Sequence, residues 1–337
     1  MQKVTVLGAG VMGTALAIHL AKQKNEVKLW GTRWDNVTIE NYKATGKCEK
    51  LNTDIPSGVE FFLVDELEKA LQDSSIVILA VTSDGIRDIT ESISHYINKD
   101  IIIANIAKGI EEKSLMTMSE IIEDSLSGQL KNIPVVKIGG PLRAIEVANE
   151  VFSEAIFASK NIEAARILQR TFKAPYFKSD VTTDIIGVEI CAALKNSYAI
   201  TIGICEGMYE NMDNPKAAMI ARGCMELAAL VKAKGGNMET TLGLAGIGDL
   251  YVTAQGGRNR ALGKLLGQGK SMKDALEEMK NQTIEGYSAA KVGYKLAKTL
   301  EEEGKLKLSD ISLLAELYRV LFEDKPAVEA LKDYWSN

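Results

Sequence analysis

Val4-Thr5-Val6-Leu7-Gly8-Ala9-Gly10-Val11-Met12-Gly13-Thr14-Ala15-Leu16-Ala17 is the stretch whose order of residue types decides the fold. A short β-branched run feeds three glycines spaced G-x-G-x-x-G, and a helical run from Thr14 to Lys24 follows at once. In a βαβ unit, Gly8 serves the tight turn, Gly10 lets the backbone approach a pyrophosphate, and Gly13 permits close packing of helix on strand. The helix N-terminus meanwhile presents free N–H groups to the anion. The glycine spacing alone is a weak signal; the strand before it and the helix after it supply the context that a dinucleotide site needs.

Outward from that turn, further strand candidates are Glu26 to Trp30, Ile76 to Val81, Ile101 to Asn105 and Val135 to Ile138, separated by helical stretches. Strands alternating with helices predict an α/β fold, a Rossmann-type doubly wound parallel sheet. Beyond about Thr182 the rhythm changes to long Ala-, Leu- and Ile-rich segments, Asp184 to Gly207 and Ala217 to Lys234, with no convincing strand between them. This predicts a dinucleotide-binding domain over 1–183 and a C-terminal all-helical, substrate-binding domain over 184–337. Lys178, Ser179, Asp180, Thr182, Thr183 and Asp184 read as the polar bridge and helix cap between them.

Composition excludes several function classes. Lys plus Arg is 40 against 45 Asp plus Glu, so the chain lacks the basic surplus of a nucleic-acid binder. At 46% apolar and 25% charged it is ordinary globular material. Cys48, Cys191, Cys205 and Cys224 form no C-x-x-C, and His19 and His95 are the only histidines, which argues against a disulfide scaffold and against a metal site. Both histidines lie in amphipathic helical contexts and read as structural. No basic leader precedes a cleavable apolar stretch and no 18 apolar residues run together, so a soluble, cytoplasmic protein without a membrane span is expected.

Four signals point to chemistry. An NAD site usually places an acid at the tip of the second strand, about 20 residues past the glycines. Here the strand ends Leu29-Trp30 and continues Gly31-Thr32-Arg33-Trp34-Asp35, so Arg33 is placed to pair with a 2′-phosphate and tilts the choice toward NADP over NAD. The alternative is a solvated Arg33, with Asp35 blurring the distinction. Second, the segment Gly187 to Asn196 places Lys195 and Asn196 within a helix that is otherwise apolar nearly all round, where an ammonium must find a partner or snorkel to solvent. A lysine so placed can exchange a proton with a carbonyl or alcohol oxygen. Third, Ala107-Lys108-Gly109 follows a strand at the carboxyl edge of the sheet, where ligands bind. Fourth, Gly243-Leu-Ala-Gly246-Ile-Gly248-Asp249-Leu250, then Thr253 and Gly256-Gly257-Arg258-Asn259-Arg260, combine backbone access with a guanidinium fork suited to phosphate, or form a plain helix connection with surface charges.

Taken in order, GAGVMGTALA, AKG at 107–109, GGP at 139–141, EICAALKN at 189–196, GLAGIGDL at 243–250, GGRNR at 256–260 and IEG at 284–286 resemble the NAD(P)-dependent sn-glycerol-3-phosphate dehydrogenases over essentially the whole chain. The resemblance is closest to the soluble archaeal and bacterial enzymes. It implies reversible reduction of dihydroxyacetone phosphate to sn-glycerol 3-phosphate, with Lys195 as acid/base and a nicotinamide as hydride donor. It also implies a substrate site of Lys108, Gly140, Asn196, Asp249, Thr253, Arg258 and Asn259. The cofactor would meet Gly8, Gly10, Val11, Met12, Gly13, Arg33, Lys108, Ala144, Arg258 and Glu285. A homodimer and a role in supplying glycerol phosphate for phospholipid biosynthesis are further implications.

Two departures limit the transfer. Gly139-Gly140-Pro141-Leu142 stands where many bacterial members have Ser-Gly-Pro-Ser, so Leu142 cannot act as a polar ligand, and Arg143 either contacts an anion or points to water. Val11 and Met12 replace a Ser-aromatic pair, so only their backbone contacts transfer. Competing readings are a 3-hydroxyisobutyrate or 6-phosphogluconate type of dehydrogenase, the same fold reducing another phosphorylated or phosphonate hydroxyketone, and a non-catalytic nucleotide-binding redox sensor. The GLAGIGDL and GGRNR segments argue against the first, and joint retention of Lys108 and Lys195 against the last.

Overall fold

The structure is a computed structural model that describes residues 1–280 and 282–336. Its chain forms two compact units, Met1–Glu111 with Met116–Ile185, and Glu112–Leu115 with Ile186–Asn337. Glu112 belongs with the second unit because Lys291 pairs with its carboxylate at 2.7 Å and Lys295 donates to its carbonyl at 2.8 Å.

Ten strands lie in the first unit: β1 Lys3–Leu7, β2 Glu26–Trp30, β3 Lys47–Cys48, β4 Thr53–Asp54, β5 Val59–Phe62, β6 Ile76–Leu79, β7 Ile102–Asn105, β8 Val135–Gly139, β9 Ser153–Ala158 and β10 Phe177–Thr182. β3 and β4 make a small antiparallel ribbon, and the other eight form one sheet in the order β10-β9-β8-β7-β6-β1-β2-β5. Its central strands alternate between two apolar layers. Val4, Val6, Ile76, Ile78, Ile102, Ala104, Val136 and Ile138 pack on one face. Leu7, Val77, Leu79, Ile101, Ile103 and Val135 pack on the other. Side chains of period two that are apolar on both faces require helices on both sides, which is why these strands read as continuous apolar runs.

Two expectations need correction. The sheet is not wholly parallel, because β9 runs antiparallel to β8. Between them the chain makes only the five-residue helix Ala144–Ala148, and it turns back at the end of the sheet where β8 leaves. The polar segment Lys178 to Thr182 is not a bridge: it forms the edge strand β10, paired in parallel with β9. An edge strand with one side in solvent keeps polar side chains, and that disguises it as a linker.

The second unit is helical. Its longest helix, Ile185–Met208, is the one described helix long and apolar enough to cross a membrane, with a mean hydropathy of 1.4, yet 94% of that window is buried inside the protein. It packs very closely on the helix Gly257–Gly267. A Cβ added at Gly263 would stand 2.1 Å from the Ile200 carbonyl oxygen and 2.9 Å from Gly203 Cα, so only glycine allows the backbones to meet there. The buried Glu226 caps another helix, Ser312–Phe322, accepting from the Leu313 N–H at 2.6 Å and the Leu314 N–H at 3.0 Å.

Candidate active site

In the first unit the glycine turn is built as its spacing requires. Gly8 sits at φ +112, where a side chain would be strained, and its N–H bonds the Trp30 carbonyl at 2.8 Å. A Cβ at Gly13 would fall 2.0 Å from the Gly8 oxygen, so the helix can start this close to the strand only with glycine there. At Gly10 no atom lies within 4 Å of where a Cβ would stand, leaving the backbone open to approach. The helix Val11–Lys22 starts immediately, with no side chain capping it. An exposed, uncapped helix N-terminus behind Gly8 and Gly10, with Gly13 in its first turn, fits a pyrophosphate.

The tip of β2 carries a feature that the sequence reading missed. Asp35 folds its carboxylate back onto the turn, where Oδ2 accepts from the Ala9 N–H at 3.3 Å, the Thr32 N–H at 2.9 Å and the Thr32 hydroxyl at 2.8 Å. Arg33 is exposed, its guanidinium 4.7 Å from the Trp34 ring centre. A threonine followed three residues later by an acid is the capping-box spacing that would have found the Thr32 contact, though not the one to Ala9.

At the carboxyl ends of β7 and β8 lie Ala107-Lys108-Gly109 and Gly139-Gly140. Lys108 is half-buried, and Gly140 adopts φ +108. Leu142 is buried in the apolar layer, while Arg143 is exposed and pairs with Glu146 at 2.6 Å. Ala144 begins the short helix after it. His19 is fully buried, its ring nitrogens bonded to the Phe172 carbonyl at 2.9 Å and the Tyr176 hydroxyl at 3.1 Å, whereas His95 is exposed.

The helical unit brings most of its sequence candidates together. Lys195 is only 3% exposed, which removes the snorkelling alternative. Its Nζ donates to Asp249 Oδ1 at 2.5 Å and to the Thr253 hydroxyl at 2.5 Å, and Thr253 in turn donates to the Asp249 carbonyl at 2.7 Å. Asp249 is itself buried at the start of the helix Asp249–Ala254, so Asp249 and Thr253, four residues apart, share the face that meets Lys195. Next to Lys195, Asn196 donates from Nδ2 to Glu285 at 2.7 Å, and Asn259 accepts from the Gly286 N–H at 2.8 Å. The IEG segment is thus tied to both asparagines. Arg258 is exposed one residue into the helix Gly257–Gly267, whose start is fastened by Arg260 through Glu206 and the Gln255 carbonyl. The Arg260–Glu206 pair was not singled out from sequence. Among the described residues no group of three or more His, Cys, Asp or Glu side chains could hold a metal ion.

Such a cluster places a buried, charge-paired ammonium beside amides, with a guanidinium nearby in sequence, which suits proton transfer to an oxygen of an anionic substrate. Residues 3–165 match the family described as the NAD-dependent glycerol-3-phosphate dehydrogenase N-terminus, and residues 184–332 match its C-terminus. An NADP(+)-dependent glycerol-3-phosphate dehydrogenase of Archaeoglobus fulgidus is 37% identical over 97% of each chain. A glycerol-3-phosphate dehydrogenase [NAD(P)+] of Thermoanaerobacter sp. is 37% identical over 98% of this chain and 95% of its own. The crystal structure of glycerol-3-phosphate dehydrogenase from Coxiella burnetii superposes with a TM-score of 0.86 at 29% identity, covering 100% of this chain and 99% of that one. The chain belongs to the NAD-dependent glycerol-3-phosphate dehydrogenase family.

Proposed function

We propose that this protein interconverts dihydroxyacetone phosphate and sn-glycerol 3-phosphate by hydride exchange with a nicotinamide cofactor, with Lys195 as the acid/base. The observation that carries the reading is the buried Lys195 ammonium, held 2.5 Å from Asp249 and 2.5 Å from Thr253 in a chain of this family. An ammonium fixed by a carboxylate and a hydroxyl delivers a proton to the ketone oxygen as negative charge develops there, and reclaims it in the reverse direction. Asp249 and Thr253 orient it, and Asn196 and Asn259, anchored on Glu285 and Gly286, supply amides to the glycerol hydroxyls. Arg258 takes the phosphate as a planar fork, Lys108 polarises the substrate, and Gly140 contributes its backbone.

When bound at the glycine turn, the cofactor supplies the hydride. In this reading residues 1–183 hold it: Gly10, Val11, Met12 and Gly13 offer backbone N–H groups to the pyrophosphate, Gly8 makes the turn that brings the chain up to it, and Lys108 and Ala144 lie beyond. Arg33 pairs with a 2′-phosphate and favours NADP, supported by its exposure and by the engagement of Asp35 with backbone donors. Residues 184–337 hold the substrate, with Arg258 and Glu285 also reaching the cofactor. The assembly is read as a homodimer.

The test is the initial rate of NADPH and of NADH oxidation with dihydroxyacetone phosphate, against dihydroxyacetone plus free phosphate. Turnover with the ester alone, faster with NADPH, is the expected result. Equal rates with and without the covalent phosphate, or no turnover by protein that binds NADPH, would overturn the reading.

A further inference from the structure

β8 carries a residue that its position in the fold does not require. Its neighbours Val135, Val136 and Ile138 are apolar and buried on the two faces of the sheet, yet between them Lys137 is 0% exposed. An apolar side chain would fill that place without the cost of taking an ammonium out of water. The ammonium is therefore to be explained by what it holds. Lys137 and Asn105 are cross-strand partners, the last ladder pair between β7 and β8. From there Lys137 Nζ donates to Asn105 Oδ1 at 3.1 Å and to the carbonyl oxygen of Ala107. Asn105 is itself oriented, since its Nδ2 donates to the Ser119 hydroxyl at 2.9 Å and so turns Oδ1 toward the lysine.

The Ala107 carbonyl lies beyond the end of the ladder, where pairing between strands no longer fixes the backbone. It also belongs to the same peptide plane as the Lys108 N–H. Fixing that carbonyl from inside the sheet sets the plane from which the Lys108 side chain departs. We infer that Lys137 is a positioning residue for Lys108, acting through the Ala107 peptide and braced by Asn105 and Ser119. The inference rests on the proposed role of Lys108 toward dihydroxyacetone phosphate and adds the device that sets its geometry. A charge-assisted bond to a carbonyl does this more rigidly than turn sequence alone, because Gly109 on the other side of Lys108 contributes no side chain to hold it.

A double-mutant cycle tests this on the full-length enzyme. Lys137→Met, Lys108→Met and the double variant are assayed for kcat/KM toward dihydroxyacetone phosphate with NADPH, and for NADPH dissociation constant by fluorescence titration. Lys137→Met is expected to lower kcat/KM at least tenfold with NADPH affinity no weaker than that of Lys108→Met, and the double variant should fall within twofold of Lys108→Met alone. Lys137→Gln, which keeps a donor, should recover at least threefold over Lys137→Met. Losses that multiply in the double variant overturn the inference while leaving the Lys108 role intact. A parental rate for Lys108→Met refutes the role of Lys108 itself and the inference with it. NADPH affinity clearly weaker in both Lys137 variants than in Lys108→Met also overturns it, since Lys137 would then serve the sheet rather than the turn.

Discussion

Lys195 shows how much a single position can and cannot reveal before folding. An ammonium in an apolar helical run is legible as a problem, and the structure supplies the solution with two groups 54 and 58 residues further along the chain. Asp249 and Thr253 were both visible in the sequence, but as ligands for substrate hydroxyls; that they converge on Lys195 depends on how two helices pack, which no local pattern encodes. Removing the lysine has two separable effects. Lys195→Met should lower kcat by roughly 100- to 10,000-fold, the usual range for general acid–base catalysis, with NADPH affinity within twofold. It also leaves the buried Asp249 carboxylate without this cation, a loss of the order of 3 to 5 kcal/mol when one partner of a buried pair is deleted. Lys195→Met/Asp249→Asn should therefore recover most of the melting temperature and none of the turnover. If turnover returned with stability, Lys195 would be structural.

At the scale of elements, the helix Gly257–Gly267 is placed by its glycines as much as by its polar groups. Gly263 lies five residues after Arg258 and four after Asn259 on a helix that touches the backbone of Ile200 and Gly203. Gly263→Ala inserts a methyl group against a carbonyl oxygen, so the helices must part, and overpacking of this kind costs about 1 to 3 kcal/mol. The expected outcome is a lower melting temperature together with a raised KM for dihydroxyacetone phosphate, because Arg258 and Asn259 move with the helix; an unchanged melting temperature would refute the close packing. The glycine turn was readable from sequence because it is local: strand, turn and helix are contiguous, and each glycine has its own steric reason. β5, β9 and β10 were not, since their side chains mix polar with apolar groups at or near the edges of the sheet. The reversed direction of β9 was hidden as well, because chain order says nothing about which end of the sheet a short connection returns to. Asp35 escaped for a third reason, a side chain bonding backward across 26 residues to the Ala9 N–H.

Across the whole molecule, two buried titratable groups give the two units opposite responses to pH. Burial lowers His19 to about 4, against the Phe172 carbonyl that favours the charged form. Its folded state stays neutral while the unfolded chain takes up a proton below about 6.5, so stability in the first unit falls as pH drops from about 6.5 through 4, by about 3 kcal/mol in all. Burial raises Glu226 to about 7, against the pull of the Leu313 and Leu314 N–H groups and the Tyr198 hydroxyl. Here the folded state keeps a proton that the unfolded chain has lost, so this contribution is present below about 4.5 and disappears as pH rises through 7, again by about 3 kcal/mol. Glu226→Gln removes that titration while retaining an amide oxygen for the helix N–H groups. Measured by chemical denaturation at pH 5.0 and pH 7.5, the variant should show a smaller loss, or a larger gain, in stability on going to pH 7.5 than the parent does. The same pH dependence in both proteins would mean that the two backbone N–H groups and Tyr198 outweigh burial, and that Glu226 caps its helix as a carboxylate throughout.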